Sequence, residues 1–390
     1  MRRTVAILAL AAAIGAGGSA HAITGDRPEF RKLAEDVYAY IGKLNDANAM
    51  VVVTTEGVVL VDTGNNVTDT RDLLAHVRSV TSVPVRYVVI TQNHNDHSGG
   101  AALVSPPATT IVHERVATQW ASLRPHQITA WRRRFPERTA ALERLNPTDT
   151  VQSFSDRLTL HLGGKDIQLI HVDDPDNPGD IAVWLPKERI LHASMAGYKD
   201  RHPDIRPDYS HGTTGELLKQ LKAYLTLRPA MVVPAHGPVG GGWLLETMIE
   251  YLLLARDSVQ EMMAKDLSPP AIEAQFQMKQ FGDWDRTEHL PWIAATIHRE
   301  LRGLGPQVIT VTERRLSGVV SSAVQDGRFL TVAGSDGAAV RLRVTGDTVF
   351  QGIADRTAVR PGMTVSAVYE VPEGIVPALG YDTLELTVTR

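Results

Sequence analysis

The hydrophobic and polar positions along the chain divide it into three zones. From about residue 30 to residue 240, short apolar runs typical of strands alternate with apolar positions at helical spacing. Between residues 242 and 304 the pattern favours helices, which the Pro269-Pro270 pair and Gly282 separate. From residue 306 onwards, strand-like runs return, with turns at glycines. The pattern predicts an alternating α and β region, a helical extension and a small all-β domain.

The individual elements follow from the same patterns. Strands are predicted at residues 49–53, 58–61, 85–91, 111–113, 158–162, 167–172, 181–185, 191–194 and 230–233. Helices are predicted at residues 69–80, 118–145, 215–227, 244–264, 270–277 and 292–302. The C-terminal zone is expected to hold five or six strands, at residues 308–311, 316–324, 328–332, 339–344, 363–371 and 384–388.

The composition is that of an ordinary globular protein, and it narrows the possible chemistry. The 390 residues are 43% hydrophobic and 22% charged, which allows a large apolar core. With 40 Lys and Arg against 44 Asp and Glu, the net charge is −4, and no nucleic-acid partner is expected. The chain has no cysteine, which excludes disulfides, thiolate metal ligands and a cysteine nucleophile.

The first 22 residues have the pattern of a secretory signal peptide. The positively charged start Met1-Arg2-Arg3 precedes a short apolar run, and Ala20-His21-Ala22 provides small residues for cleavage. The run is too short for a transmembrane helix, which needs about 20 apolar residues, and no later run approaches that length. We therefore expect cleavage near Ala22 and an exported, periplasmic protein without a membrane anchor in its mature form.

The strongest chemical signal is a polar segment that follows a predicted strand, Thr91-Gln92-Asn93-His94-Asn95-Asp96-His97-Ser98-Gly99-Gly100. Two histidines and an aspartate within four residues can converge on a metal ion, and the two glycines let the backbone turn tightly. Functional residues also concentrate on loops of this kind. The alternative is a polar turn with a helix N-cap at Asp96 or Ser98.

Four segments, in order along the chain, resemble the metallo-β-lactamase superfamily. They are residues 58–64, residues 91–100, residues 178–181 and residues 232–238. The resemblance covers residues 35 to 245, and the following helices resemble an extension that is common in the glyoxalase-II-like branch. It implies the α+β fold class, with a four-layer αββα sandwich and a helical extension at residues 23–304. Residues 305–390 are similar to a small OB-like β-barrel that is sometimes appended to exported proteins.

The resemblance also implies a set of metal ligands. The second metal site of the family corresponds to Asp96, His97 and His236, which would form an open zinc site with a fourth position for water. The carboxylate that bridges two metals in most hydrolases of the family is replaced by Met195, a neutral sulfur. We therefore expect one zinc ion per chain.

The first metal site of the family is poorly preserved in this chain. It corresponds to Gln92, His94 and Asp176, of which one is an imidazole. An amide, a single imidazole and a hard carboxylate oxygen make a poor zinc site, so these residues would hold at most a weakly bound second ion.

The function implied by the resemblance is metal-dependent hydrolysis of a small-molecule ester, thioester, lactone or lactam. Asp96 would be both a metal ligand and a catalytic residue. The zinc that it helps to hold would lower the pKa of its bound water to about 7 and supply a hydroxide nucleophile. His94 and Gln92 would donate hydrogen bonds to the developing oxyanion, and Asp176 would orient the water or move its proton. The alternative is a binding protein without catalytic activity, because three of seven family ligand positions are changed. The residues leave both functions, and the substrate, open.

Other polar residues near predicted strand ends favour structural roles. Asp62 is expected to hold a turn or to contact a metal ligand from behind, rather than to bind metal itself. His113, His171 and His192 are expected to be hydrogen-bonded side chains. His202 is expected either in a solvated loop or in a segment that covers the cleft.

Overall fold

Two mixed β-sheets lie at the centre of the N-terminal region in the computed structural model. The structure describes residues 27–43, 46–64, 67–105, 107–118, 151–174, 177–209, 212–307, 311–325, 327–335, 337–372 and 381–389. The first sheet contains β1 (Glu29–Ala34), β2 (Val37–Ile41), β3 (Ala49–Thr54), β4 (Gly57–Val61), β5 (Val85–Val89), β6 (Thr109–His113) and β7 (Val151–Phe154). These seven strands pair in chain order, antiparallel from β1 to β4 and parallel from β4 to β7.

The second sheet packs against the first across an apolar core. It contains β8 (Arg157–Leu162), β9 (Lys165–His171), β10 (Ile181–Leu185), β11 (Ile190–His192) and β12 (Met231–Val233), and strands that are consecutive in the chain are neighbours. β11 and β12 run parallel, whereas the other neighbours are antiparallel. Val61 of β4 and Val183 of β10 are among the fully buried side chains between the sheets.

Helices cover the outer face of each sheet. They are α1 (Val67–Val80), α2 (Asn95–Ser98), α3 (Thr214–Leu225), α4 (Trp243–Ala264), α5 (Pro269–Gln275) and α6 (Leu290–Leu301). Val59 and Val61 of β4 face the second sheet, while Leu60 faces Leu73 of α1, as the alternation of side chains along a strand requires. Helices α3, α4, α5 and α6 pack on the other side of the second sheet in a single apolar cluster.

The C-terminal region forms a closed barrel of five strands. They are β13 (Val311–Val324), β14 (Phe329–Gly334), β15 (Ala339–Gln351), β16 (Thr364–Pro372) and β17 (Tyr381–Val388), in the order β13-β14-β15-β17-β16. β15 and β17 run parallel and the other pairs are antiparallel. Leu330, Leu342 and Leu386 lie fully buried in its core.

The predicted fold class is confirmed: the chain is an αββα sandwich with a helical extension and a small all-β barrel. Strands β1, β2 and β7 were not predicted, and the separate strands predicted at 308–311 and 316–324 are wrong, because residues 311–324 form one continuous strand. The predicted helix at 118–145 lies outside the described residues except for its first position. The predicted signal peptide at 1–22 also lies outside them, and the domain boundary at 304 stays a prediction. Among the described residues, none of the helices combines the length and the apolar character needed to span a bilayer.

A buried ion pair joins the barrel to the helical extension. The guanidinium of Arg328, just before β14, binds both carboxylate oxygens of Asp285, which precedes α6. Burial opposes ionisation of Asp285, but the hydrogen bonds from Arg328 and the positive charges of Arg286 and Arg328 hold the pKa of its carboxyl below the usual range. In addition, the guanidinium of Arg343 lies 4.3 Å from the centre of the Trp292 ring on α6.

We expect Arg328→Ala to lower the free energy of unfolding by at most about 3–5 kcal/mol at pH 7, because the buried carboxylate of Asp285 is left with the more distant guanidinium of Arg286, 3.7 Å away. Since the pKa of Asp285 is depressed in the folded protein, the ion pair stabilises above about pH 4 and its effect is lost as the pH falls further. The difference between the two proteins should therefore shrink below pH 4.

Urea unfolding of the full chain at several pH values measures this difference. The matched control is Arg315→Ala, which removes an exposed arginine from the same barrel and is expected to change stability by less than about 0.5 kcal/mol. Equal stability of Arg328→Ala and Arg315→Ala at pH 7 would show that the ion pair does not stabilise the fold.

Candidate metal centre

The candidate site begins at Asp62, where β4 ends. The Asp62 carboxylate is fully buried, and it accepts hydrogen bonds from the backbone N–H and from the hydroxyl of Thr91, both at 2.8 Å. The same carboxylate lies 2.8 Å from Nδ1 of His97, so it accepts the Nδ1 proton and directs Nε2 away from itself. Asp62 therefore lies behind His97, as expected, and joins the ends of β4 and β5 to α2.

The loop that carries Asp96 and His97 is held by short contacts around its two ends. The carbonyl of His94 accepts hydrogen bonds from the N–H groups of His97 and Ser98, at 3.1 and 3.0 Å, which forms the single turn of α2. A Cβ on Gly100 would lie 1.7 Å from Oγ1 of Thr70, so α1 approaches the loop as closely as a glycine allows. This close approach fixes the direction in which the candidate ligands point.

His236 reaches the site from the loop that follows β12. The Asn48 side chain donates hydrogen bonds of 2.8 Å to the carbonyls of Pro234 and Gly237, on both sides of the histidine. Gly237 has φ +86°, and a Cβ there would lie 2.2 Å from the carbonyl oxygen of Lys199. Only glycine fits both requirements, so the loop has one accessible path and places His236 beside α2.

The structure brings Asp96, His97 and His236 together into one cluster. Their ligand atoms all lie within 4.8 Å of one another, and no other group of this kind occurs among the described residues. Nε2 of His236 is 3.3 Å and Nε2 of His97 is 3.8 Å from Oδ2 of Asp96. Nε2 of His97 is buried and has no hydrogen-bond partner in the described part of the chain, as expected of an atom that faces an ion.

The surroundings shift the pKa values of the two histidines in opposite directions, upward for His97 and downward for His236. Burial opposes ionisation of Asp96, but His97, together with His236, holds the pKa of the carboxyl well below its usual range. Burial lowers the pKa of His97, yet the carboxylates of Asp96 and Asp62 outweigh it and the net shift is upward. Burial and the guanidinium of Arg201 lower the pKa of His236 to about 4, so this imidazole is neutral at pH 7.

The residues of the predicted weak second site are only partly described. Gln92 is fully buried, and neither atom of its amide group has a hydrogen-bond partner among the described residues. His94 is half-buried, and burial lowers its pKa. Asp176 lies outside the described residues. Met195 is buried, and its sulfur accepts a hydrogen bond of 3.1 Å from the hydroxyl of Tyr198.

Two residues near the site were given no role from the sequence, although Asp180 lies in the segment 178–181 that resembles the family. Arg201 is buried, and its Nη1 lies 3.1 Å from Nδ1 of His236. It lies 35 positions before His236, and no motif surrounds it, so the sequence offers no signal for this contact. Asp180 is also buried, and its carboxylate oxygens have no hydrogen-bond partner in the described part of the chain. Burial raises the pKa of Asp180 to about 8, so its carboxyl is largely protonated at neutral pH.

The outlying histidines only partly match expectation. His113 contacts the carbonyl of Ser155 and His171 contacts the carbonyl of Asp180, as expected of structural histidines. The expectation for His192 is wrong: neither ring nitrogen has a hydrogen-bond partner among the described residues, although Nε2 lies 3.8 Å from Oδ2 of Asp62. Burial lowers the pKa of His192 to about 4. His202 is fully buried against the hydroxyl of Tyr251 and is not in a solvated loop.

Comparison with known proteins identifies related sequences. A sequence model described as the metallo-beta-lactamase superfamily matches residues 42–236, half of the chain. A linear primary-alkylsulfatase from Pseudomonas sp. (strain ATCC 19151) is 26% identical over 248 residues, which cover 54% of this chain and 44% of that protein. A metallo-beta-lactamase type 2 from Bacillus sp. (strain 170) is 26% identical over 211 residues, 53% of this chain and 73% of that protein. The chain thus spans less than half the length of the alkylsulfatase that it matches.

A solved structure with a TM-score above 0.5 shows the same fold. A stereoselective inverting sec-alkylsulfatase from Pseudomonas sp. has a TM-score of 0.53 at 14% identity, over 70% of this chain and 50% of that chain. A metallo-beta-lactamase from Pontibacter korlensis has a TM-score of 0.47 at 22% identity, over 58% of this chain and 99% of that chain. At such identities the likeness extends to the fold alone. The glyoxalase-II-like branch stays a prediction, since the relatives named here are alkylsulfatases and β-lactamases.

We expect Asp180→Asn to flatten the pH dependence of stability in the metal-free protein. The folded-state pKa of Asp180, about 8, lies above the unfolded value of about 4. The folded state therefore retains a proton that the unfolded state releases, and stability falls between these pH values by up to about 1.4 kcal/mol per pH unit. Asparagine does not titrate, so the variant loses this contribution to the slope.

Urea unfolding at pH 5, 6, 7 and 8, in the presence of a chelator, measures the slope. Asp257→Asn is the control, because Asp257 is an exposed carboxylate on α4. If Asp180→Asn and the wild type keep the same slope over this range, Asp180 is not the protonated group inferred here.

Proposed function

Because this chain belongs to the metallo-beta-lactamase superfamily, we propose that it is a metal-dependent hydrolase of a small molecule, with its cation at Asp96, His97 and His236. The observation that carries the proposal is the convergence of these three side chains, from two separate loops, to within 4.8 Å. Related hydrolases, named as alkylsulfatase and β-lactamase, support the reaction class. The substrate and the identity of the metal belong to the proposal.

The donor set fits zinc. One carboxylate and two imidazoles leave a fourth position open, which is the arrangement of catalytic rather than structural zinc sites. The buried Nε2 of His97 without a partner supports the fit, and so does Asp62, because a carboxylate on the other nitrogen is the usual support of a ligating histidine. Met195 offers a sulfur that Tyr198 already contacts, which favours one ion rather than two.

Each residue around the ion has a defined task in the proposed reaction. Asp96, His97 and His236 would hold the cation, which would supply Lewis acidity and lower the pKa of a water molecule towards neutrality. Asp62 keeps the His97 ring in the orientation that ligation requires. The amide of Gln92, buried and without a partner among the described residues, would donate a hydrogen bond to the oxyanion, as would the ring of His94. Asp176 would orient the attacking water or accept its proton.

The substrate class follows from this chemistry only in outline. An ester, thioester, lactone or lactam presents a polarised group that such a site attacks, and a sulfate ester is added because one relative is named an alkylsulfatase. We also propose that the chain is exported to the periplasm after cleavage near Ala22, on the strength of its N-terminal pattern.

A specific observation favours a second candidate, a binding protein without hydrolytic activity. The guanidinium beside Nδ1 of His236 occupies the place where a metal-bound histidine needs a hydrogen-bond acceptor. If Arg201 stays there, the cluster is incomplete as a metal site and the pocket would hold a ligand without converting it.

Metal content after dialysis is the first test. We expect about one zinc ion per chain in the wild type and none in His236→Ala, which lacks one of three ligands. Gln92→Ala should keep the ion, because Gln92 lies outside the cluster, and it serves as the matched control. The combined variant Gln92→His, Asp176→His and Met195→Asp should raise the content towards two. Two ions in the wild type would contradict the single site.

Turnover is the second test. Wild-type protein, protein stripped by chelation and protein reloaded with zinc are compared on ester, thioester, lactone, lactam and alkyl sulfate substrates. We expect activity that disappears on stripping, returns on reloading and is absent in His236→Ala. Zinc binding without any metal-dependent turnover would favour the binding protein.

A further inference from the structure

The two histidines of the cluster have opposite hydrogen-bond arrangements. His97 donates its Nδ1 proton to Asp62, and its Nε2 is buried with no partner among the described residues. His236 is the reverse, because Nδ1 faces Nη1 of Arg201 at 3.1 Å. A guanidinium has N–H donors and no acceptor, so Nδ1 of His236 must be the acceptor. An acceptor nitrogen carries no proton, so the ring carries its proton on Nε2, which lies 3.3 Å from Oδ2 of Asp96 and donates to it.

This arrangement opposes metal binding through Nε2 of His236. A neutral histidine that ligates through Nε2 carries its proton on Nδ1 and donates it to a carboxylate or a carbonyl. With Arg201 in place, that proton would point at another donor, and a positive charge would lie one ring away from the cation. Both effects weaken binding, and both involve the contact between Nη1 of Arg201 and Nδ1 of His236.

The position of Arg201 is fixed by the fold. The backbone on both sides of it is bonded to Asp285: Asp285 N–H donates to the carbonyl of Asp200, and His202 N–H donates to the carbonyl of Asp285, each at 2.9 Å. The Asp285 side chain is in turn held by Arg328 of the barrel. Tyr198, at the start of the same segment, stacks on the His236 ring at 5.6 Å between centres. The contact is therefore a built feature of the folded chain.

We propose that Arg201 is a positioning residue that weakens cation binding at Asp96, His97 and His236, and that its side chain leaves Nδ1 of His236 when the cation binds. This inference rests on the proposed function. It assigns to Arg201 the control of metal affinity. Asp62 orients His97 for ligation, whereas Arg201 keeps His236 in the tautomer that does not bind the ion. Removing the guanidinium tightens binding, and a side chain with an acceptor at the same place tightens it further.

Zinc affinity of the full chain tests the proposal, measured by competition with a chromophoric chelator after metal removal. Arg201→Gln places an amide oxygen where the guanidinium was, and we expect it to bind zinc about tenfold to a hundredfold more tightly than the wild type. Arg201→Lys keeps a donor-only cation, so its affinity should stay within about threefold of the wild type. Lys199→Gln is the charge control, because it removes a positive charge that pairs with Asp200 and keeps the backbone N–H of Lys199, which donates to the carbonyl of His236.

A spectroscopic measurement keeps the proposal testable if Arg201→Gln does not fold. In the metal-free wild type, ¹⁵N NMR of the His236 ring should show the proton on Nε2, and zinc addition should move it to Nδ1. A proton on Nδ1 in the metal-free protein would overturn the proposal.

The outcomes separate this inference from the proposed function. The inference is supported if Arg201→Gln binds zinc more tightly than the wild type while Arg201→Lys and Lys199→Gln do not. Zinc binding by the wild type with equal or weaker affinity in Arg201→Gln overturns it and leaves the proposed function intact. If neither protein binds zinc, the proposed function fails and this inference fails with it.

Discussion

The buried carboxylate of Asp62 is the interaction on which the arrangement of the site depends. Asp62 has a left-handed backbone, with φ 59°, which is unfavourable for a residue other than glycine and persists only where surrounding contacts hold it. Two hydrogen bonds from Thr91 and one from His97 supply those contacts. Burying a carboxylate without such donors would be costly, so the end of β4, the end of β5 and α2 assemble together or not at all.

The other half of the cluster depends on a different set of contacts. His236 lies on a loop that Asn48 fixes, and Arg201 reaches it from a segment bonded to Asp285, which the barrel holds through Arg328. His97 is thus oriented by Asp62 at the end of a strand of the first sheet. His236 is contacted by Arg201, whose segment is bonded to Asp285 and through it to the C-terminal barrel. The segment that carries Arg201 and the contact between Asp285 and Arg328 are connected by two backbone hydrogen bonds. A change at the candidate centre that shifts the backbone of Arg201 would therefore also act on the contact with the barrel.

The fold and the three candidate ligands were predicted from local patterns together with the resemblance of four segments to a known family. The fold is confirmed, and the ligand atoms of the three side chains lie within 4.8 Å of one another. Alternating apolar positions identify strands such as β4, and the spacing of Asp96 and His97 places two ligands on one turn. Arg201 could not be predicted, since its contact with His236 arises from the folding of two loops that share no motif. The edge strand β1 was missed for a related reason: it contains Arg31 and Lys32, and its strand conformation depends on pairing with β2.

Met195 at the bridging position and the positive charge of Arg201 both oppose the binding of a second metal ion. Two adjacent dications need negative charge between them, and at the bridging position this chain has Met195, whose neutral sulfur contacts Tyr198. Within the cluster Asp96 supplies the one carboxylate that could contact the ion, with Asp62 behind His97, while Arg201 adds a positive charge next to His236. A second ion would therefore face repulsion without compensation, whereas a single ion needs only the displacement of one guanidinium. For the proposed centre, this charge balance favours one cation that is bound reversibly.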